Sequence, residues 1–320
     1  MASFKKIDPR LKTNNDTGFG PNASAYGGRF INRDGTFNLK REGISFLDRF
    51  SIFQRMQAIP RWKFLLIIVS VFIAVNLLYT LIYLAIGIDQ FTGIVGNSSW
   101  ARIKEIYYFS TETFTTVGYG RVNPVGDAVN IVAGFEAMSG FLSFAVVTGL
   151  IYGRFAKPRP FLAFSDFALV SPFRGQTALM FRFATYKDHH ALTNVSIKVN
   201  LAAREEKESG DAEYKFYDLK LERDKVDNLP MNWTVVHPID EDSPLYGFSY
   251  DDAIHADLEL YVLITGFDEV YSSPVLQRTS YTYQEMRFNA KFVPMYRESD
   301  DGKTTILEMH KLNEIVDITA

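Results

Sequence analysis

Cysteine is absent from all 320 residues, which excludes disulfide bridges and thiolate zinc centres. Histidine is scarce and scattered, at His189, His190, His237, His255 and His310. Surplus charge is missing too: 34 Lys+Arg against 37 Asp+Glu leave a net charge of -3, with no basic footprint for nucleic acid. Lys5 and Lys6 are followed by no apolar core, so no cleavable signal peptide is expected. Residues 12–36 have few aliphatic or β-branched residues and many Asn, Gly, Asp and Ser. The N-terminal arm, 1–43, is therefore expected to be largely flexible, or extended and ordered only by contact with something else.

Hydrophobicity is present but unevenly spread. A mean hydropathy of -0.05 describes a soluble protein only on average, because the apolar residues concentrate between Phe64 and Phe155. The stretch 64–86 contains no charge, and as a helix it is about 34 Å long, enough to cross a hydrocarbon core of roughly 30 Å. Asn76 is its one strongly polar member. A second stretch, 128–155, carries one charge in its interior, Glu136, with Arg154 at its end, and small residues suited to close helix packing. Arg49, Arg55, Arg61 and Lys63 precede the first span, and Arg154, Lys157 and Arg159 lie at or just beyond the end of the second. The excess of basic residues on that side predicts that both termini lie in the cytoplasm, with the connecting segment outside.

Between the spans, Thr116-Val117-Gly118-Tyr119-Gly120 reads TVGYG. In a K⁺ selectivity filter the carbonyls of this pentapeptide replace the ion's hydration shell, and four copies line one pore. K⁺ is expected at the carbonyls of Thr116, Val117, Gly118 and Tyr119 and at the Thr116 hydroxyl, with Gly118 and Gly120 permitting torsions that cost other residues dearly. One chain offers carbonyls to one side of an ion only, so the motif predicts a ring of subunits. Trp100–Ser110 reads as a short re-entrant pore helix ahead of it. Glu112 and Arg121 flank the filter. Glu112 is expected to brace it from behind, with Arg121 or backbone amides as partner; direct ion coordination is the alternative. Glu136 reads first as a structural contact behind the filter and second as a pore-lining charge.

Further positions suit gating and lipid contact. Phe144, Thr148, Ile151 or Tyr152, and Phe155 share one stripe of the second span, where bulky residues from several subunits can close a pore by steric block and dewetting. Tyr152 is the first choice for the constriction; simple helix packing is the alternative. Arg61, Lys63, Arg154, Lys157 and Arg159, with Trp62 as interfacial anchor, suit anionic lipid headgroups, at about 1 kcal/mol per basic residue. Residues 44–59 alternate apolar and charged positions at helical spacing, with Phe46, Leu47, Phe50 and Phe53 on one side and Asp48, Arg49 and Arg55 on the other. They read as a helix lying in the membrane interface and ending at Pro60.

From Pro160 the pattern changes to short β-prone runs separated by turn formers, as in an antiparallel sandwich. The fold class expected is membrane α plus all-β: an interfacial helix (44–59), a two-span pore domain with a pore helix (60–157) and a cytoplasmic β-sandwich (158–320).

Five segments, PRWKF (60–64), FSTETFTTVGYGR (109–121), GLIYGRFAKPRP (149–160), NWTVVHPIDEDSPLYG (232–247) and LELYVLITGFDEVYSSPVLQRTSY (258–281), together resemble the inward-rectifier potassium channels, in particular their prokaryotic branch. The resemblance runs from about residue 40 to the end. It implies a homotetramer in a cell's inner membrane, K⁺ as permeant ion with no cofactor, and an immunoglobulin-like domain that extends the pore into the cytoplasm. It also implies gating where the inner helices cross, with Tyr152 at the crossing, and regulation by anionic lipids through the basic positions named above. By the same resemblance Glu269, with its neighbour Asp268, lines the cytoplasmic vestibule, and residues 270–278 narrow its mouth. Two commonly acidic positions are here Phe144 and Asn194, so rectification is expected to be weak. Arg121 also lies one residue closer to the filter than in eukaryotic members.

Two other classes are worth weighing. A membrane-anchored enzyme would draw on the carboxylates of HPIDED, but that stretch also reads as a turn between strands. An adhesion-type sandwich needs one span and no TVGYG.

Overall fold

The computed structural model describes residues 7–14, 29–45, 51–188, 190–206 and 212–318. They divide into two units, Glu42–Lys157 and the combination of Met1–Arg41 with Pro158–Ala320.

In the first unit, α1 (Ile52–Ala58) begins at Ser51, whose side chain accepts a hydrogen bond from the Gln54 amide, and stops short of Pro60. Of the interfacial helix expected over 44–59, Phe46, Leu47, Asp48, Arg49 and Phe50 lie outside the described residues. Then come α2 (Arg61–Ile86), the two-residue strand β1 (Phe91–Thr92), α3 (Ser99–Phe114), its partner β2 (Asn123–Pro124) and α4 (Asp127–Phe155). Helix α3 is capped by the Ser98 side chain and continues four residues past the expected end at Ser110. The TETF segment completes its last turn rather than starting the loop.

The two long helices have an inverted burial pattern. The buried residues of α2 include Asn76, Thr80 and Tyr83, and those of α4 are Val129, Glu136 and Gly140. Leu65, Leu66, Leu77, Leu81, Phe141 and Leu142 are exposed instead. A soluble helix turns its leucines inward and its carboxylates outward. This pair does the reverse, as helices surrounded by lipid or by further apolar helices do.

The second unit is a β-sandwich. One sheet pairs β3 (Leu162–Phe164), β4 (Ala168–Phe173), β5 (Gln176–Thr185), β9 (Trp233–Ile239) and β12 (Met286–Phe288). The other pairs β6 (Leu192–Glu206), β7 (Ala212–Asp218), β8 (Lys225–Leu229), β10 (Glu259–Asp268) and β11 (Ser273–Thr282). Between β9 and β10 lies α5 (Tyr250–His255), whose start at Ser249 is closed by a capping box with Asp252. Short strands β13 (Ala290–Phe292), β14 (Tyr296–Glu298), β15 (Thr305–Leu307) and β16 (Ile315–Asp317) form two small ribbons. The strand period of two sorts the residues. Val195, Ile197, Val199 and Leu201 of β6 lie beside Leu260, Val262 and Ile264 of the neighbouring β10 on the core side of their sheet, packed with Phe181, Phe183 and Trp233 from the first sheet.

Tyr261 of β10 points to the opposite face, where part of the N-terminal arm covers it. Phe30 sits edge-on against Tyr214, Phe216 and Tyr261, at centroid distances of 5.1, 6.0 and 5.9 Å. The amides of Phe30 and Ile31 donate to the buried Glu259 carboxylate at 3.0 and 3.3 Å. Arg29 pairs with Glu285 at 3.0 Å and Arg33 with Asp166 at 3.1 Å. Of the arm, read as flexible or as extended chain ordered by contact, residues 29–38 follow the second course and dock on the chain's own sandwich through one aromatic anchor and two guanidinium clamps. Residues 15–28 lie outside the described residues.

The HPIDED stretch is the end of β9 and the turn that follows it, packed from within. His237 donates from Nδ1 to the Lys220 carbonyl at 2.6 Å, and Nε2 lies 2.8 Å from the Ser243 hydroxyl. Burial pushes the ring's pKa down. The unfolded chain takes up this proton as the pH falls below about 6.5, while the fold resists it. Stability from His237 is therefore full above that value and lost as the pH falls. The thermal midpoint of the sandwich in the full-length chain should drop between about pH 7.5 and pH 5.5, and His237→Gln should remove most of that slope. An equal slope in the variant would refute the assignment.

Candidate functional site

Helix α3 delivers the chain to TVGYG. Its C-terminal turn closes through Thr115 onto the Thr111 carbonyl, and the Glu112 carbonyl then accepts the amides of Val117 at 2.9 Å and Gly118 at 3.3 Å. Those bonds hold the start of the pentapeptide to the helix end. From there φ alternates in sign. Thr116, Gly118 and Gly120 take +60°, +55° and +79°, while Val117 and Tyr119 keep the ordinary sign. Alternation between left- and right-handed torsions turns successive carbonyls to a common side, where an ordinary strand would point them to opposite sides. For Thr116, β-branched, the left-handed region costs about 1–2 kcal/mol, so the surrounding structure imposes it.

Among the described residues, the carbonyls of Thr116, Val117, Gly118 and Tyr119 accept no hydrogen bond. Four successive carbonyls with no internal donor are available to substitute for a cation's water shell. The row ends at Gly120, whose carbonyl accepts from Asn123 Nδ2 at 2.7 Å. Val117 and Tyr119 are exposed on the single chain, Tyr119 by 80%. Helix α3 also presents its C-terminal end, the partly negative pole, at the start of this row.

Behind the row, three helices meet in a polar knot. Glu136 of α4, with 0% exposure, accepts hydrogen bonds from the Tyr83 hydroxyl of α2 and the Ser110 hydroxyl of α3, both at 2.5 Å. Ser110 is also 3.2 Å from Asn76 Oδ1. One turn further along α4, a Cβ on Gly140 would lie 1.9 Å from the Phe114 carbonyl, so only glycine lets α4 lie this close to the end of α3. Of the two readings of Glu136, the geometry fits the structural contact. The polar Asn76 within an uncharged span was the one sequence signal for this knot; Tyr83 and Ser110 gave none.

Arg121 requires a correction. Its guanidinium donates to Glu105 at 3.0 Å and to the Gly93 carbonyl at 3.2 Å, and Glu105 also accepts the Val95 amide. The partner is thus Glu105 in the first half of α3, not Glu112. The chain turns back along the pore helix as soon as it leaves Gly120, and this carries Arg121 away from Glu112 at the opposite end.

Tyr152 and Phe144, the candidate constriction residues, are exposed by 72% and 73% and face away from the subunit's own core. At the start of α2, Arg61, Trp62 and Lys63 are exposed, with the Lys63 ammonium 5.4 Å from the Trp62 ring. Lys157 and Arg159 are exposed as well, in the first and second unit respectively. Arg154 differs from the rest of that basic set. It donates to the carbonyls of Met56 and Ile59 at 2.5 and 2.8 Å and stacks on Phe64 at 4.6 Å.

Asp268 is a second correction. Fully buried, it accepts the amides of Val270 and Tyr271 at 2.8 and 3.1 Å and lies 3.2 Å from His190 Nδ1. It braces the loop after β10 instead of lining a pathway, because the strand's alternation turns it inward. Glu269, next in sequence, is exposed. His189 lies outside the described residues. Arg182, unremarked in the sequence, is buried and holds the C-terminal segment through the carbonyls of Val293, Lys311 and Leu312.

Comparisons with known proteins cover both units. The family profile described as "Ion channel" matches residues 62–157, and that described as "Inward rectifier potassium channel C-terminal domain" matches residues 162–320. The chain is 30% identical over 290 residues to inward rectifier potassium channel Kirbac3.1 of Paramagnetospirillum magnetotacticum, covering 90% of this chain and 95% of that protein. Two human proteins are each 27% identical over 80% of this chain: inward rectifier potassium channel 18 and ATP-sensitive inward rectifier potassium channel 12. This chain spans 63% of the length of each.

Proposed function

The chain belongs to the inward rectifier potassium channel family, whose members conduct K⁺ passively across a membrane, and from that premise we propose how this subunit assembles and is controlled. Four identical copies surround one axis, each contributing Thr116, Val117, Gly118, Tyr119 and Gly120 to a single filter. What supports this is the row of carbonyls free of internal donors along a backbone of alternating φ. One row can coordinate an ion from one side; four complete the shell. The sandwich, an immunoglobulin-like domain, extends the path on the cytoplasmic side of a cell's inner membrane, with both termini in the cytoplasm and Glu269 facing the vestibule.

Control lies below the filter. Tyr152 forms the constriction and Phe144 sits above it on the same helix stripe, both large, apolar-faced and unburied by their own subunit. A ring of four such side chains excludes water and hence a hydrated ion. Phe144 at a position where an acidic residue would hold intracellular cations implies weak rectification. Anionic lipid headgroups are recognised by Arg61, Trp62 and Lys63 at the start of α2, by Lys157 just beyond α4 and by Arg159. No enzyme chemistry and no cofactor enter this account; K⁺ is the permeant ion.

K⁺ flux into liposomes of graded anionic lipid content, with Tyr152→Ala beside the wild type, is the test. The variant should raise basal flux severalfold. Unchanged flux would move the constriction away from Tyr152, and flux indifferent to anionic lipid would remove the headgroup reading.

A further inference from the structure

Arg154 belongs by sequence to the basic set at the membrane surface, but its side chain is already spent. Both guanidinium ends donate to main-chain carbonyls, Nη1 to Met56 at 2.5 Å and Nη2 to Ile59 at 2.8 Å, and its plane stacks on Phe64 at 4.6 Å. Met56 lies in the last turn of α1 and Ile59 follows that turn, so these carbonyls belong to the end of a helix and have no intrahelical donor of their own. Two further contacts join the same two helices. Gln57 of α1 donates to the Leu150 carbonyl of α4 at 3.1 Å. At Gly153 a Cβ would meet Gln57 Nε2 at 2.7 Å and the Phe53 ring at 3.4 Å, so the glycine admits α1 to this distance. The short helix has no buried residue of its own.

We propose that Gly153, Arg154 and Gln57 form a latch that fixes α1 to the last turn of α4, and that Arg154 is a positioning residue for the gate rather than a ligand of lipid headgroups. The geometry of a planar fork is what the site uses. Two diverging N–H directions reach two carbonyls at once while the face of the group lies on an aromatic ring; an ammonium cannot do all three. Tyr152 is adjacent in sequence, so displacement of α1 and rotation of the gate side chain involve the same helical turn. The latch rests on the reading of Tyr152 as the constriction, and holds it closed.

Arginine and lysine variants separate the two roles. In full-length protein in lipid nanodiscs, hydrogen exchange of the segment 52–59 should speed up roughly tenfold in both Arg154→Gln and Arg154→Lys, the factor expected on loss of a hydrogen bond to a charged donor. In vesicles of phosphatidylcholine with added phosphatidylglycerol, both variants should raise basal K⁺ flux severalfold, with the lipid midpoint shifting less than about twofold. In a Tyr152→Ala background the same changes should add nothing, because the latch acts through that side chain. Arg61→Gln with Lys63→Gln should move the lipid midpoint and leave exchange of 52–59 alone. If Arg154→Lys matches wild type in exchange and flux while Arg154→Gln loses lipid response, Arg154 is a headgroup ligand and the latch is wrong. Full additivity with Tyr152→Ala would also overturn it. A chain that passes no K⁺ sinks the channel reading instead, and exchange still decides whether α1 is latched.

Discussion

Gly118→Ala is expected to abolish K⁺ conduction while leaving the chain folded and inserted. Gly118 takes φ +55° in the single chain, with nothing within 4 Å of where a Cβ would stand. The penalty is therefore torsional, about 1–2 kcal/mol for an L residue in the left-handed region. In one chain that is a modest cost. In a ring of four it is incurred four times, about 4–8 kcal/mol against the filter conformation, which depopulates that conformation by roughly a thousandfold or more. Thr116 already bears a similar cost at φ +60°, so little tolerance remains in this segment. Gly175→Ala is the matched control. That glycine has φ +86° and equally open surroundings, but lies in the surface turn between β4 and β5. It should cost the fold a similar amount and leave flux unchanged. The measurement is K⁺ flux in liposomes, normalised to tetramer recovered. Wild-type flux in Gly118→Ala would refute the role given to this torsion.

Glu136→Ala should lower both tetramer stability and conduction. The change removes the shared acceptor of Tyr83 and Ser110: the buried Tyr83 hydroxyl is left unpaired beside the space vacated by a carboxylate, while Ser110 keeps Asn76 at 3.2 Å. An orphaned buried hydroxyl costs about 1–3 kcal/mol, so roughly that much per subunit is lost from the joint between α2, α3 and α4. Glu136→Gln keeps one amide oxygen as acceptor and should fall between alanine and wild type. Tyr83→Phe removes one donor and no acceptor, and should be the mildest. Survival of the tetramer through graded heating in detergent, followed by flux, measures the series. A pore-lining charge predicts another order: Gln and Ala equally altered in conduction and neither unstable. That result would reject the knot.

The sequence was most informative where a rule acts through composition or a short motif. The two spans could be read because the absence of charge over 64–86 leaves few other fates for such a helix, and TVGYG because the chemistry resides in backbone torsions that Gly118 and Gly120 permit. Most strands from β3 to β12 fall on runs of β-branched and aromatic residues, although 161–170, one run in the sequence, divides into β3 and β4. β8, with only Val226 and Leu229 to mark it, does not, nor do β14 or β16. Pairings were the least legible part. Nothing local distinguishes Glu105 from Glu112 as the partner of Arg121, since the choice depends on how the chain turns after Gly120. Asp268 and Glu269 are adjacent acids with opposite fates, decided by the parity of β10. Arg154 looks like its basic neighbours until the carbonyls of Met56 and Ile59 are seen to face it. The docking of Phe30 onto Tyr214, Phe216 and Tyr261 brings together segments some 200 residues apart, and no periodicity in the arm announces it.

The central claim is that four aligned carbonyl rows select K⁺. The purified chain in liposomes should be given matched K⁺ and Na⁺ gradients in turn, with and without Ba²⁺. K⁺ flux that Ba²⁺ blocks, with Na⁺ flux no greater than in empty vesicles, is the predicted result; equal K⁺ and Na⁺ flux would contradict it.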